Sequence, residues 1–262
     1  MSAALDLATV RVLAGRDVVR FFRQRSRVIG ALAQPVLFWW VIGSGFGGSF
    51  RLQGADHVSY GTYFYPGVVT MVLLFSAIFA TITVIEDRRE GFLQSVLAGP
   101  GSRLSVVLGK CLGSSAVALI QASLFLLLAP LAGVSVAAVN WPLLVSALVL
   151  SSLFLTGLGF VLAWWINSAS GYHAVMSVVL IPMWVLSGAM FPLDTPDSVL
   201  GRMMSLNPMR FAVDAVRQAL FPGDTASIAS GIGTLPVVSL LTLGGLAALT
   251  LGISAWRVGR RE

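Results

Sequence analysis

The sequence predicts an all-α, polytopic membrane protein. It should have six transmembrane helices, an N-terminal interfacial helix, a short cytoplasmic helix and an external re-entrant helical hairpin. Three observations carry this expectation. Of 262 residues, 56% are hydrophobic and only 11% charged, against about 25% charged in a soluble domain. The mean hydropathy is +0.87. Uninterrupted apolar runs of about 20 residues, enough to cross about 30 Å of hydrocarbon, recur six times. The runs are continuous rather than alternating, so helices are expected and a β-barrel is not.

Residues 1–27 are basic and amphipathic. Arg16, Arg20, Arg23 and Arg27 fall at i, i+4, i+7, i+11 and make one helical stripe; Val10, Val18, Phe21 and Phe22 lie on the other side. This pattern fits a cytoplasmic helix in the membrane interface, with Arg to headgroups and apolar side chains to acyl chains. An ordinary solvated leader is the alternative. The transmembrane domain, 28–256, contains spans at 28–48, 61–85, 104–129, 142–166, 172–191 and 234–256. The first run is too long for the apolar core of a cleavable signal and should stay in the membrane. Trp141, Trp164, Trp165 and Trp256 mark span ends, and Tyr60, Tyr63 and Tyr65 cluster at the start of the second. Pro35 and Pro182 each remove one helix hydrogen bond and should kink their spans.

Charge sets the orientation. The segment before the first span has six Arg; the 86–103 loop has Arg88, Arg89 and Arg103, with Lys110, the sole lysine, able to reach back to it. The tail, 257–262, has Arg257, Arg260 and Arg261. Six spans bring these three segments to one side, which is therefore cytoplasmic, with both termini there. The 49–60 loop carries Arg51 alone among basic residues, and the 130–141 loop carries no charge; both are expected outside. A net charge of +6 spread over the ends of apolar runs suits anionic lipid rather than nucleic acid.

Two connections stand out. Residues 86–101 read as a helix with Glu86, Asp87 and Glu90 near its start, where carboxylates favour the helix dipole. Phe92, Leu93, Val96 and Leu97 form one apolar face with nothing in the chain expected to cover it, and Gly99-Pro100-Gly101 stops the helix. Such a face can lie on the membrane or fill a groove on a soluble partner, and its mixed charges suit a groove better. Residues 192–223 open with Pro192-Leu193-Asp194-Thr195-Pro196 and break at Asn207-Pro208. An amphipathic stretch follows, with Arg210, Asp214 and Arg217 on one side, and Pro222-Gly223 ends it. The segment is too short and too charged to span, so it reads either as helices dipping into or lying on the outer leaflet, or as a plain amphipathic connector.

Catalytic and metal chemistry find no set of residues. GSGFGG at 43–48 ends an apolar run rather than joining a strand to a helix, as a dinucleotide loop requires. Around Lys110 residue 104 is Leu and residue 111 is Cys, so no phosphate-binding P-loop is present. Cys111 is the single cysteine and reads as a packing residue. His57 and His173 are expected on opposite faces. Gly109 and Gly113 have the GxxxG spacing of close helix contacts, a common pattern in apolar runs. Every Asp and Glu is expected in a tail or loop, which counts against an ion-coupled carrier and an intramembrane hydrolase. Three classes stay open at this point: an ATP-driven permease, a carrier or channel without ATP, and a membrane enzyme or assembly factor.

Two stretches decide among them. After the second span comes Glu86-Asp87-Arg88-Arg89-Glu90-Gly91-Phe92-Leu93, with Pro100 following. Later come Leu186-Ser187-Gly188, Phe191-Pro192, Asn207-Pro208 and Ala212-Val213-Asp214-Ala215-Val216-Arg217. Together they resemble the permease subunits of type-2 ABC exporters, the class of the daunorubicin-resistance, nodulation-factor and O-antigen exporters. Phe92 departs from the Thr or Ser frequent in that family after the Gly. The resemblance implies a non-catalytic permease in the cell (inner) membrane, paired with a second permease copy and with separate ABC ATPase subunits. ATP and Mg would sit on those subunits, and no cofactor on this chain. It implies that 86–101 is the coupling helix, with Glu86, Asp87, Arg88, Arg89, Glu90, Gly91, Phe92, Leu93, Val96 and Leu97 at the ATPase. It also implies that Pro192, Asn207, Pro208, Arg210, Asp214 and Arg217 belong to the external gate. Gln34, Trp39, Trp40, Phe75, Phe79, Gln121 and Trp184 are the candidate lining of a path for a hydrophobic or amphipathic substrate, such as a drug, lipid or lipid-linked glycan.

Overall fold

The structure, a computed structural model, describes residues 3–46, 58–166, 168–192, 198–223 and 234–259. Arg51, His57, Leu193, Asp194, Thr195, Pro196, Arg260 and Arg261 lie outside the described residues, as do Gly47 and Gly48 of GSGFGG. Of the Arg27 side chain nothing is described.

The described residues are helical, without strands. The elements are α1 Ala3–Arg23, α2 Arg25–Gly45, α3 Tyr60–Arg89, α4 Phe92–Leu97, α5 Arg103–Leu126 and α6 Trp141–Trp165, with a 3-10 turn at Ala129–Ala132 between the last two. They continue with α7 Ala169–Ala189, α8 Val199–Leu206, α9 Met209–Leu220 and α10 Pro236–Gly259. Helices α2, α3, α5, α6, α7 and α10 are long and apolar enough to cross a membrane.

Local sequence sets half of the helix starts. Ser59, Ser102, Asn140, Ser168 and Ser198 each accept a backbone N–H of the first turn and so cap α3, α5, α6, α7 and α8. Pro35 lies inside an unbroken α2. Pro182 lies between two π-helical stretches of α7, Met176–Leu180 and Val185–Ala189. A missing N–H and a bulky ring at position 182 leave carbonyls of the preceding turn unclaimed, and wider turns absorb the mismatch.

Helix α3 is the axis of the bundle. Most of its side chains are buried, and it contacts α2, α5, α6, α7 and α9. The tyrosines at its start differ from the interface anchors their position suggested. They turn inward, and their hydroxyls donate to carbonyl oxygens of Met190, Gly188 and Phe125 at 2.8, 3.0 and 2.9 Å. The irregular end of α7 leaves carbonyls open to two of them, and the Phe125 carbonyl accepts the Tyr65 hydroxyl beside the Leu128 N–H.

Candidate functional site

One end of the bundle carries the α3–α4–α5 connection, the start of α2 and the ends of α6 and α10. Here α1 does not lie free. It packs along α5, over Gly109 and Gly113. A Cβ on Gly109 would sit 3.0 Å from Leu13 Cβ and 3.2 Å from Val10 Cα, and one on Gly113 only 3.0 Å from Ala14 Cα. The GxxxG spacing is thus the seat of the interfacial helix, where two backbones touch.

That contact assembles a cluster of three cations and three carboxylates. Lys110 Nζ donates to both Asp17 oxygens, at 2.9 and 3.0 Å, and to Asp87. Arg16 grips Asp87 with two parallel bonds of 2.9 Å. Arg20 reaches Asp87 at 3.1 Å and Glu86 at 3.0 Å. Lys110 and Asp87 are fully buried, and Asp17 nearly so. Burial pushes the Asp17 carboxyl above its usual range, against the pull of Lys110. Farther along α1, Asp6 accepts the Ser102 backbone N–H at 2.6 Å, which holds its carboxyl below the usual value.

Three expectations change here. Arg16 and Arg20 face carboxylates of their own chain rather than headgroups. Glu86 and Asp87 belong to the last turn of α3, not the first turn of the next helix. A helix C-terminus disfavours carboxylates there, and the three cations compensate. Asp87 lies inside a helix and is buried, so not every acid falls in a tail or loop. The sequence held one clue: its sole lysine stands between Gly109 and Gly113, where a long side chain can lie under an α1 brought close by the glycines.

The connecting helix is shorter than 86–101. Helix α3 runs to Arg89, Gly91 turns the chain at φ 76°, and α4 covers only Phe92–Leu97. Only glycine adopts that φ cheaply. The apolar face is covered by its own chain. Leu93 is buried, Phe92, Val96 and Leu97 pack against the core, and the Arg16 guanidinium stacks 3.7 Å above the Phe92 ring. The exposed surface is Arg89, Glu90, Gln94, Ser95 and Ala98. Arg88 points the other way. Its guanidinium donates to the Trp164 and Ile166 carbonyls at 3.0 and 2.8 Å and so caps the end of α6. Arg103 caps α10 similarly, at 2.7 Å from the Gly259 carbonyl.

At the opposite end, α8 and α9 follow Pro192, which is partly exposed. Asn207 joins the two helices: Nδ2 donates to the Met183 carbonyl, and Oδ1 accepts the Met209 N–H at 2.9 Å. Pro208 supplies the fixed φ of −65° just before α9. Helix α9 is buried among α3, α6, α7 and α10 rather than lying flat on a surface. Arg217, fully buried, donates to the Gly188 carbonyl at 2.8 Å and lies over the Tyr63 ring. Asp214 accepts the Thr234 hydroxyl at 2.8 Å, and Arg210 lies over Phe211.

The candidate lining residues separate into groups. Gln34, Phe79 and Gln121 border a cavity of about 540 Å³ that opens near the ionic cluster. Phe75 stacks on Phe79. Trp39 and Trp184 are held in packing, their indole N–H groups on the Gly61 and Gly67 carbonyls at 2.9 and 2.8 Å. Trp40 is exposed on α2, outside the cavity. His173 borders the cavity and lies against Phe79.

Six apolar helices, with α3 buried among the others and charge gathered at one end, define a multi-pass membrane protein. The chain belongs to the ABC-2 type transporter family, whose model matches residues 8–221. It is 26% identical over 223 residues to nodulation protein J of Sinorhizobium fredii, covering 82% of each chain. It is 28% identical over 220 residues to nodulation protein J of Neorhizobium galegae, covering 80% of each. It is 27% identical over 210 residues to the transport permease ycf38 of Cyanophora paradoxa, covering 79% of this chain and 72% of that one. The chain is accordingly a transmembrane permease of the ABC transporter class.

Proposed function

We propose that this permease works in export, as two copies joined to two separate ATP-binding subunits. Both termini and α4 would lie in the cytoplasm, and α8–α9 would lie at the external gate. ATP and Mg would be held by the partner subunits, with no cofactor on this chain. The carrying observation is the exposed polar surface Arg89, Glu90, Gln94 and Ser95, seated on a buried ionic cluster. Because Leu93 is buried and Phe92, Val96 and Leu97 pack, partly exposed, against the chain's own core, the ATPase cleft would read the polar side. A push there reaches α3 through the Gly91 turn and α1 through Arg16, which holds both Phe92 and Asp87. Motion of α3 and α1 together would open a path between the two copies for a hydrophobic or amphipathic substrate.

The test is co-purification of the tagged permease with an ABC ATPase from its native host, read with vanadate-sensitive ATP hydrolysis. Glu90→Lys and Ser95→Tyr should leave the permease folded in the membrane and abolish capture. An ATPase that is never captured by the wild type overturns the reading; normal capture by both variants removes α4 as the contact.

A further inference from the structure

The cavity beside the ionic cluster has a charged mouth and a neutral floor. Asp17, Arg20 and Glu86 stand at the mouth, and the lining continues along α3 to Thr83, Phe79 and Ser76. Ten residues of α3 separate Glu86 from Ser76, about 15 Å of helix rise, which is half the thickness of a hydrocarbon core. The floor is a single polar pair: the Ser76 hydroxyl donates to Gln121 Oε1 at 2.6 Å. Both residues are buried, Gln121 with 1% of its surface exposed. Gln121 makes no other side-chain hydrogen bond among the described residues, so its Nε2 amide has no protein partner. A primary amide at that depth in a membrane is costly unless something accepts from it. Between floor and mouth the walls are mainly apolar and aromatic, with Phe21, Phe79, Ile82 and Val117, interrupted by the polar side chains of Thr83, Gln34 and His173, the last lying against Phe79.

We infer that this cavity is a binding site for a neutral, drug-sized aromatic ligand. A carbonyl or hydroxyl oxygen at the leading end of that ligand accepts from Gln121 Nε2. Volume supports the size, since about 540 Å³ falls within the range of small-molecule pockets. The aromatic walls suit a flat ring. Neutrality follows from the floor. Neither Ser76 nor Gln121 carries a charge to pair with an ion, and the mouth cluster is already balanced, so a charged group brought to the floor stays uncompensated. Gln121 is then the residue that sets specificity. The inference rests on the transport reading for its biological meaning but not for its measurement.

Benzophenone tests it, being a neutral aromatic ketone that inserts into C–H bonds on illumination. The purified full-length permease in nanodiscs, without ATPase, is labelled and its peptides are read by mass spectrometry. Saturable labelling is expected on 76–83 and 117–121, with the lipid-facing side of α10 as internal reference. The charged analogues 4-benzoylbenzoate and 4-benzoylbenzyl-trimethylammonium should label these peptides several-fold less. Gln121→Leu should cut cavity labelling about three- to tenfold, the size of one neutral hydrogen bond. Val117→Trp, which leaves Gln121 intact, should abolish it by filling the space. Labelling confined to lipid-facing helices, equal labelling by charged probes, or labelling untouched by both substitutions overturns the inference. None of these readouts involves the ATPase, so failed ATPase capture with intact cavity labelling defeats the exporter reading alone.

Discussion

Replacing Lys110 by Met should destabilise the permease through one particular carboxylate. The ammonium is the shared partner of Asp17 and Asp87. Without it Asp87 keeps Arg16 and Arg20, at 2.9 and 3.1 Å. Among the described residues Asp17 keeps only Arg16, at 3.8 Å, while 6% exposed. Removing one partner of a buried pair costs about 3–5 kcal/mol, or roughly 6–20 °C in Tm for a chain of this size. Asp17→Asn in the same background removes the stranded charge and should recover much of that loss, a coupling of about 0.5–3 kcal/mol. The penalty also has a pH sign. Burial already holds the Asp17 pKa above 3.8, and loss of Lys110 raises it further. A carboxylate with a raised folded pKa costs nothing below its unfolded pKa. The cost grows as pH rises through the folded pKa and is constant above it. The wild-type-minus-variant gap in Tm, read by a thermal melt of the detergent-solubilised protein, should therefore be smaller at pH 5 than at pH 8. A single substitution costing under about 1 kcal/mol, a strictly additive double variant, or a pH-independent gap would refute the account of the cluster.

Three further outcomes are expected. Gly113→Val should push α1 from α5, because a Cβ there already meets the Ala14 backbone at 3.0 Å; the cost is about 1–3 kcal/mol, with faster proteolysis between α1 and α2. Arg88→Met should uncap α6 and speed hydrogen exchange around Ile166, whereas Arg88→Lys, which keeps one donor, should do so less. The bond from Ser102 to Asp6 has the opposite pH sense to Asp17. A depressed carboxylate stabilises above its unfolded pKa and loses that contribution as pH falls through the folded one. Exchange at the start of α5 should therefore rise below about pH 4, and Asp6→Asn should remove the pH dependence.

Apart from the turn at Gly91 that ends α3 and shortens α4, the sequence by itself determined most of the elements, the six apolar runs and the break at Gly99-Pro100-Gly101. These are local matters, since a helix in lipid must satisfy its own backbone and needs a fixed length. The motifs at 86–93 and 186–217 were likewise enough to give the family. The tertiary structure alone decided where the amphipathic faces point. Four apolar residues at 92–97 read as an exposed docking face, but Arg16, seventy-odd residues earlier, lies on Phe92 and turns the polar side outward. The Arg stripe of α1 suited headgroups equally well until Gly109 and Gly113 let the helix approach α5 and brought Asp17, Asp87 and Lys110 within bonding distance. Periodicity specifies that a face exists; it carries no information about which of several chemically suitable partners comes near, because that depends on contacts distant in sequence. For the same reason Gln121 and Trp184 looked alike as candidate lining. One stands at the floor of a cavity with an amide nitrogen to offer, and the other has its indole N–H committed to the Gly67 carbonyl.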